Sequence, residues 1–227
     1  MIKLVIFDWD DVFTTNSIAG YYKCYHTALE GIGLQLEPAE EDKLIKARWG
    51  AGRKAQLEYI LAKKGRPAQQ LQQALKLYEQ AFYGGVFMDC LGVVPGAQAF
   101  LQDIAQRYTL AIATGGDPKI LKEQYMPKFT IPNVFARIIT IYDLDDLKYA
   151  KPHPFMAQKI MAELGVDPKQ TVLVGDAATD MEMARNAGVT PIAVLTGHLT
   201  RQEAEALGVE HIISNVTQLE PVLQKLA

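Results

Sequence analysis

The sequence predicts an α/β fold: a parallel sheet flanked by helices, interrupted early by a purely helical segment. Three observations lead there. Short apolar runs with β-branched residues recur, from Leu4–Phe7 to Pro191–Leu195, and such runs read as strands buried on both faces. From Val93 onward they alternate with stretches of helical spacing, which implies right-handed βαβ units. Between Ser17 and Tyr83 there is helical spacing and no strand-like run.

The first strand is Leu4–Phe7, and it stops at two carboxylates, Asp8 and Asp10. Asp11 to Gly20 is polar and turn-like, and a helix over Ala19–Gly31 is closed by Gly31 and Gly33. Pro38 suits the first position of the next helix, with Leu44, Ile45 and Trp49 as its apolar positions. Leu57, Ile60 and Leu61 keep helical spacing, as do Leu71, Leu75, Tyr78 and Phe82 after a start at Pro67. These helices suggest a separate inserted domain of roughly 70 residues. The expected division is therefore a sheet domain of residues 1–15 and 85–227 and a helical domain of residues 16–84.

After Gly84-Gly85 the pattern changes. Val93-Val94-Pro95-Gly96 leads into a helix with Phe100, Leu101 and Ile104 facing inward, followed by a strand over Thr109–Thr114. Phe135–Ile141 is the third strand, and Pro154 opens a helix carrying Ala157, Ile160, Met161 and Leu164 on one face. Gln170–Asp176 is a fourth strand, Pro191–Leu195 a fifth and His211–Ile213 a sixth.

The chain of 227 residues is 49% hydrophobic and carries a net charge of −3. That describes a globular protein with a sizeable core. The longest basic cluster, Lys63-Lys64-Gly65-Arg66, reads as a solvated helix end, so nucleic acid is not the expected partner. Cys24 and Cys90 have no metal-binding spacing, and a reducing, cytoplasmic setting is the simpler expectation. Neither a signal peptide nor a membrane-spanning segment is expected. The oligomeric state is left open.

In an open parallel sheet the site lies beyond the carboxyl ends of the strands. There the sequence places Asp8 and Asp10, Thr114 and Asp176, with a Lys151-Pro152 pair after the third strand. Local alternatives exist for single residues. Thr114 could cap a helix, Lys151 could be a solvated loop lysine, and Asp180 could favour the start of a helix. No local need explains the set.

The ordered set Phe7-Asp8-Trp9-Asp10, Ala113-Thr114-Gly115, Lys151-Pro152-His153-Pro154 and Val174-Gly175-Asp176-Ala-Ala-Thr-Asp180 resembles the haloacid dehalogenase-like hydrolases with a helical cap, the phosphoglycolate phosphatase-like branch in particular. Val94-Pro95-Gly96 and Ala187-Gly188-Val189 match flanking signatures. The resemblance implies a Rossmann-like core with an inserted α-helical cap, and a phosphatase acting on a small phosphorylated metabolite. It further implies Asp8 as nucleophile forming an aspartyl-phosphate, and Asp10 as general acid and then base. Lys151 would be the neutralising cation, and Thr114 with the Gly115 N–H the phosphate holders. Mg²⁺ would be held by Asp8, the Asp10 carbonyl and Asp176, with Asp180 in support.

Relatives usually carry glycine where this chain has Asp11, a residue that tolerates left-handed backbone better than most. Gly50-Ala51-Gly52-Arg53 resembles a substrate loop of helical-cap relatives. Arg53 would either pair with a second anionic group of the substrate or stand in solvent at a helix start. Sugar-phosphate mutases of this kind place a histidine early in the first cap helix. Here that position falls near Tyr21, which favours hydrolysis. Mutase, dehalogenase and a non-catalytic binding protein remain the alternatives.

Overall fold

The computed structural model describes residues 1–48 and 52–226. Trp49, expected among the apolar positions of the second helix, lies outside them, as do Gly50 and Ala51 of the expected substrate loop. The chain forms two compact units, one of Met1–Thr15 and Gly92–Ala227, the other of Asn16–Leu91.

The first unit begins with β1 (Leu4–Phe7), every residue of which is buried, and the short β2 (Thr14–Thr15). The second unit is helical among its described residues: α1 (Ser17–Gly31), α2 (Pro38–Lys46), α3 (Arg53–Lys63), α4 (Gln70–Tyr83) and α5 (Val86–Cys90). Its core is aromatic. Tyr21 stacks on Phe82 at 5.9 Å and packs on Phe87 at 4.5 Å, while Tyr25 packs on Tyr78 at 4.7 Å. Gly20 lets α5 close on α1, because a Cβ there would lie 2.7 Å from the Phe87 ring. Gly84-Gly85 is therefore a turn inside this unit: Phe87 carries the chain back onto Phe82 and Tyr21 before it leaves.

The first unit resumes with β3 (Gly92–Val93), antiparallel to β2. It continues through α6 (Ala97–Ile104) and β4 (Thr109–Thr114) to a π-helical turn, Ile120–Tyr125, and the single turn α7 (Met126–Lys128). Next come β5 (Phe135–Thr140), α8 (Phe155–Leu164), β6 (Thr171–Gly175) and α9 (Ala178–Asn186). The unit ends with β7 (Thr190–Val194), α10 (Arg201–Ala206), β8 (His211–Ile213) and α11 (Glu220–Lys225). On α6, Leu101 and Ile104 are buried as expected, but Phe100 is only half-buried; Ala97 takes the inward place.

The six long strands form one parallel, Rossmann-like sheet in the order β5-β4-β1-β6-β7-β8. β1 is flanked by β4 on one side and β6 on the other, with Phe7 level with Ile112 and Val174. The strand order thus reverses at β1, and a crevice opens beyond the strand ends at such a point. Leu4 and Ile6 bury one face against Met156, Ile160, Met183 and Ala184 of α8 and α9.

Candidate active site

The ladder itself brings the acids together. Asp8 follows β1, and its N–H donates to the Val174 carbonyl of β6 at 2.8 Å. Asp176 follows β6, and both carboxylates end up buried at the same sheet edge. Asp180 lies in the first turn of α9, where its Oδ2 accepts the Ala177 N–H at 3.2 Å. Glycine at 175 makes this possible, since a Cβ there would meet the Asp180 carboxyl carbon at 2.4 Å. One oxygen from each of Asp8, Asp176 and Asp180 falls within 4.8 Å of the others.

Lys151 joins the cluster from the segment after β5. Its Nζ lies 2.7 Å from Asp8 Oδ1 and 2.6 Å from Asp180 Oδ1. The reading of Lys151 as a solvated loop lysine therefore fails; its side chain is 11% exposed. Burial by itself pulls the ammonium's pKa down, but Asp180 and Asp8 outweigh it and hold the pKa above the usual lysine range. One cation among three carboxylates leaves a surplus of negative charge. That surplus opposes ionisation of Asp176: burial first, then Asp8 and Asp180, keep the pKa of its carboxyl well above the usual range.

Asp10, two residues after Asp8, is half-buried. Its Oδ1 accepts a hydrogen bond from the Tyr125 hydroxyl at 2.5 Å. Thr114 ends β4 and is buried; its Oγ1 accepts the Gly116 N–H at 3.0 Å, so it shapes the turn holding the exposed Gly115. Asp11 takes the left-handed backbone its position demands, with φ of 53°, and its N–H donates to Thr14 Oγ1 at 3.1 Å. In the helical unit, Arg53 is engaged by Glu79, through Nε at 3.2 Å and Nη2 at 3.0 Å.

Two contributors were not foreseen. The segment after β7 runs against Asp176, whose Oδ2 accepts the His198 N–H at 2.9 Å and whose carbonyl accepts the Leu199 N–H at 2.8 Å. Gly197 permits this approach, since a Cβ there would lie 1.9 Å from Asp176 Oδ2. Burial pushes the His198 imidazole below its ordinary range against the opposing pull of Asp11 and Asp8. The rule that found the acids, polar residues after a strand, also applies to Thr196-Gly197-His198. Tyr125 had no such signal; it lies in a segment of mixed polar and apolar residues that breaks helical period at a π turn.

Known proteins resemble this chain in sequence and in fold. Residues 2–188 match the family described as haloacid dehalogenase-like hydrolase. The chain belongs to that family. As a haloacid dehalogenase-like hydrolase it is an enzyme, and relatives with phosphatase names share its sequence. It is 28% identical over 224 residues to "Probable phosphatase IndB" of Dickeya dadantii, covering 96% of this chain and 92% of that one. It is 26% identical to a phosphoglycolate phosphatase of Pasteurella multocida over 127 residues, 56% of this chain and 55% of that protein. The fold matches a "predicted phosphoglycolate phosphatase" from Haemophilus somnus with TM-score 0.83 at 20% identity, covering 98% of each chain.

Proposed function

We propose that this haloacid dehalogenase-like hydrolase is a Mg²⁺-dependent phosphatase that cleaves the monoester of a small phosphorylated metabolite through an aspartyl-phosphate. The observation that carries the reading is Lys151 bridging Asp8 and Asp180, with Asp176 in the same cluster. A dianionic ester could not approach that much negative charge without compensation. An all-oxygen donor set with a charge surplus suits a hard cation, so the residues fit Mg²⁺, with Asp8, Asp176 and the Asp10 carbonyl as its holders. Asp180, engaged by Lys151 and the Ala177 N–H, supports them. When bound, Mg²⁺ supplies charge neutralisation at the transferring phosphoryl group.

The chain's own residues account for the rest. Asp8 attacks phosphorus, forming the Asp8–O–P bond as the bond from phosphorus to the ester oxygen breaks. Lys151 holds Asp8 in place and offsets the charge on the equatorial oxygens. Thr114 and the Gly115 N–H bind those oxygens. Asp10 delivers a proton to the departing alkoxide, then takes one from the water that hydrolyses the aspartyl-phosphate. The helical unit is read as the cap that selects among esters, and the protein as cytoplasmic.

The test is turnover of p-nitrophenyl phosphate with Mg²⁺. Asp8→Asn is expected to abolish it while the variant melts like the parent, and EDTA is expected to silence the parent. Activity that survives EDTA overturns the Mg²⁺ dependence. Full activity in Asp8→Asn overturns the nucleophile.

A further inference from the structure

The reading above gives Asp10 two proton transfers, and a carboxylate that serves both must be held in one orientation. An aspartate at a strand end has three staggered χ1 wells to choose from. We propose that Tyr125 is the positioning residue that selects one of them, a role that rests on the phosphatase reading.

Tyr125 is 3% exposed, and its ring is wedged between Trp9 at 5.6 Å and Phe129 at 6.3 Å between centroids. Trp9 is in turn fixed against Phe13 at 5.3 Å and Phe135 at 6.3 Å. The hydroxyl at the end of this aromatic stack therefore has little freedom. It donates to Asp10 Oδ1 at 2.5 Å, the length of a strong hydrogen bond to a carboxylate. Asp10 Oδ2 then faces Gly116, where a Cβ would lie 3.8 Å away, on the side of Thr114. Tyr125 also closes the π-helical turn Ile120–Tyr125. Such turns depart from α-helical period and often mark functional positions.

In this arrangement the two carboxylate oxygens divide the work. Oδ1 stays on the Tyr125 hydroxyl throughout. As the Asp8–O–P bond forms and the bond from phosphorus to the ester oxygen breaks, the proton passes from Oδ2 to the departing oxygen. In the second half Oδ2 takes a proton from water. The Tyr125 proton is never transferred.

The consequence is a dependence on the leaving group. Phenyl phosphate and p-nitrophenyl phosphate have similar size, but the phenolate needs a proton far more than the nitrophenolate does. With Mg²⁺ at a single pH, Tyr125→Phe keeps the ring and loses only the hydroxyl. It is expected to lower kcat/KM for phenyl phosphate about tenfold, a part of what acid catalysis contributes, and for p-nitrophenyl phosphate by twofold or less. In an Asp10→Ala background the same substitution is expected to change neither value. Equal losses on both esters, or a further loss in the Asp10→Ala background, would overturn the role of Tyr125 and leave the phosphatase reading intact. A folded parent inert towards both esters overturns that reading and this proposal with it.

Discussion

At Gly197 the fit is too tight for any side chain. A single added methyl group would overlap Asp176 Oδ2 and press on the Asp11 Cβ at 2.8 Å. Asp176 belongs to the buried acid cluster and Asp11 is itself buried, and the His198 N–H that steadies Asp176 is next in the chain. Gly197→Ala should therefore displace Asp176 rather than be absorbed. Misplacing a reacting group by about 1 Å can cost roughly 100-fold in rate, and overpacking of this kind costs about 1–3 kcal/mol. Steady-state kinetics and urea denaturation of the variant are expected to show both losses; unchanged turnover would mean that the loop yields without moving Asp176. Asp8, Asp10 and Asp176 were legible in the sequence because they stand at the end of a run recognisable as a strand; Lys151, well past the end of β5, was legible only as part of the ordered set of motifs. Tyr125 and Gly197 were not, because their roles come from proximity in space: one hydroxyl at the end of an aromatic stack, and one missing Cβ.

Among the elements, the central strands β1, β4 and β6 were readable because both faces of each are covered, which leaves an unbroken apolar run. β2 and β3 were not: two residues each, joined across the whole helical unit, they have no pattern of their own. The end of the helical unit was misplaced for a similar reason. Gly84-Gly85 looks like a boundary until Phe87 is seen against Gly20. Within that unit, α1 and α2 are linked by His26, whose Nδ1 lies 2.9 Å from Oε2 of the buried Glu41. The Glu41 hydrogen bond raises the His26 pKa above its ordinary value, with burial opposing and Glu30 assisting. A folded state with the higher pKa binds the proton more tightly, so this contribution is full below about pH 6.5 and disappears as pH rises through the folded value. His26 is largely exposed, so solvent screening limits the effect to about 0.5 kcal/mol. His26→Ala should narrow the stability difference between pH 5.5 and pH 8 in chemical denaturation. An unchanged difference would separate the contact from stability.

For the molecule as a whole, the sheet order and the function meet at one place. Strand order reverses at β1, and the acids that end β1 and β6 are forced together by the parallel ladder between them. The alternation of runs in the sequence implied a parallel sheet, but not which strands would be neighbours; that is decided by long-range packing of α8 and α9 on Leu4 and Ile6. The arrangement costs stability when no cation is present. Asp176 has a raised pKa in the folded state, through burial and the charges of Asp8 and Asp180. An acid raised in this way favours folding less and less as pH climbs from its unfolded value through its folded one. At pH 7 the metal-free fold therefore carries an electrostatic penalty, which Asp176→Asn removes. That variant should melt higher than the parent in EDTA by about 2–4 °C, the shift expected for roughly 1 kcal/mol in a chain of this size. A cation that binds only the folded state adds stability in proportion to the logarithm of its concentration. Millimolar Mg²⁺ should accordingly raise the melting temperature of the parent and leave Asp176→Asn nearly unmoved, so that the order of the two reverses. If instead the variant melts lower than the parent in EDTA and responds equally to Mg²⁺, the buried acids are not a cation site.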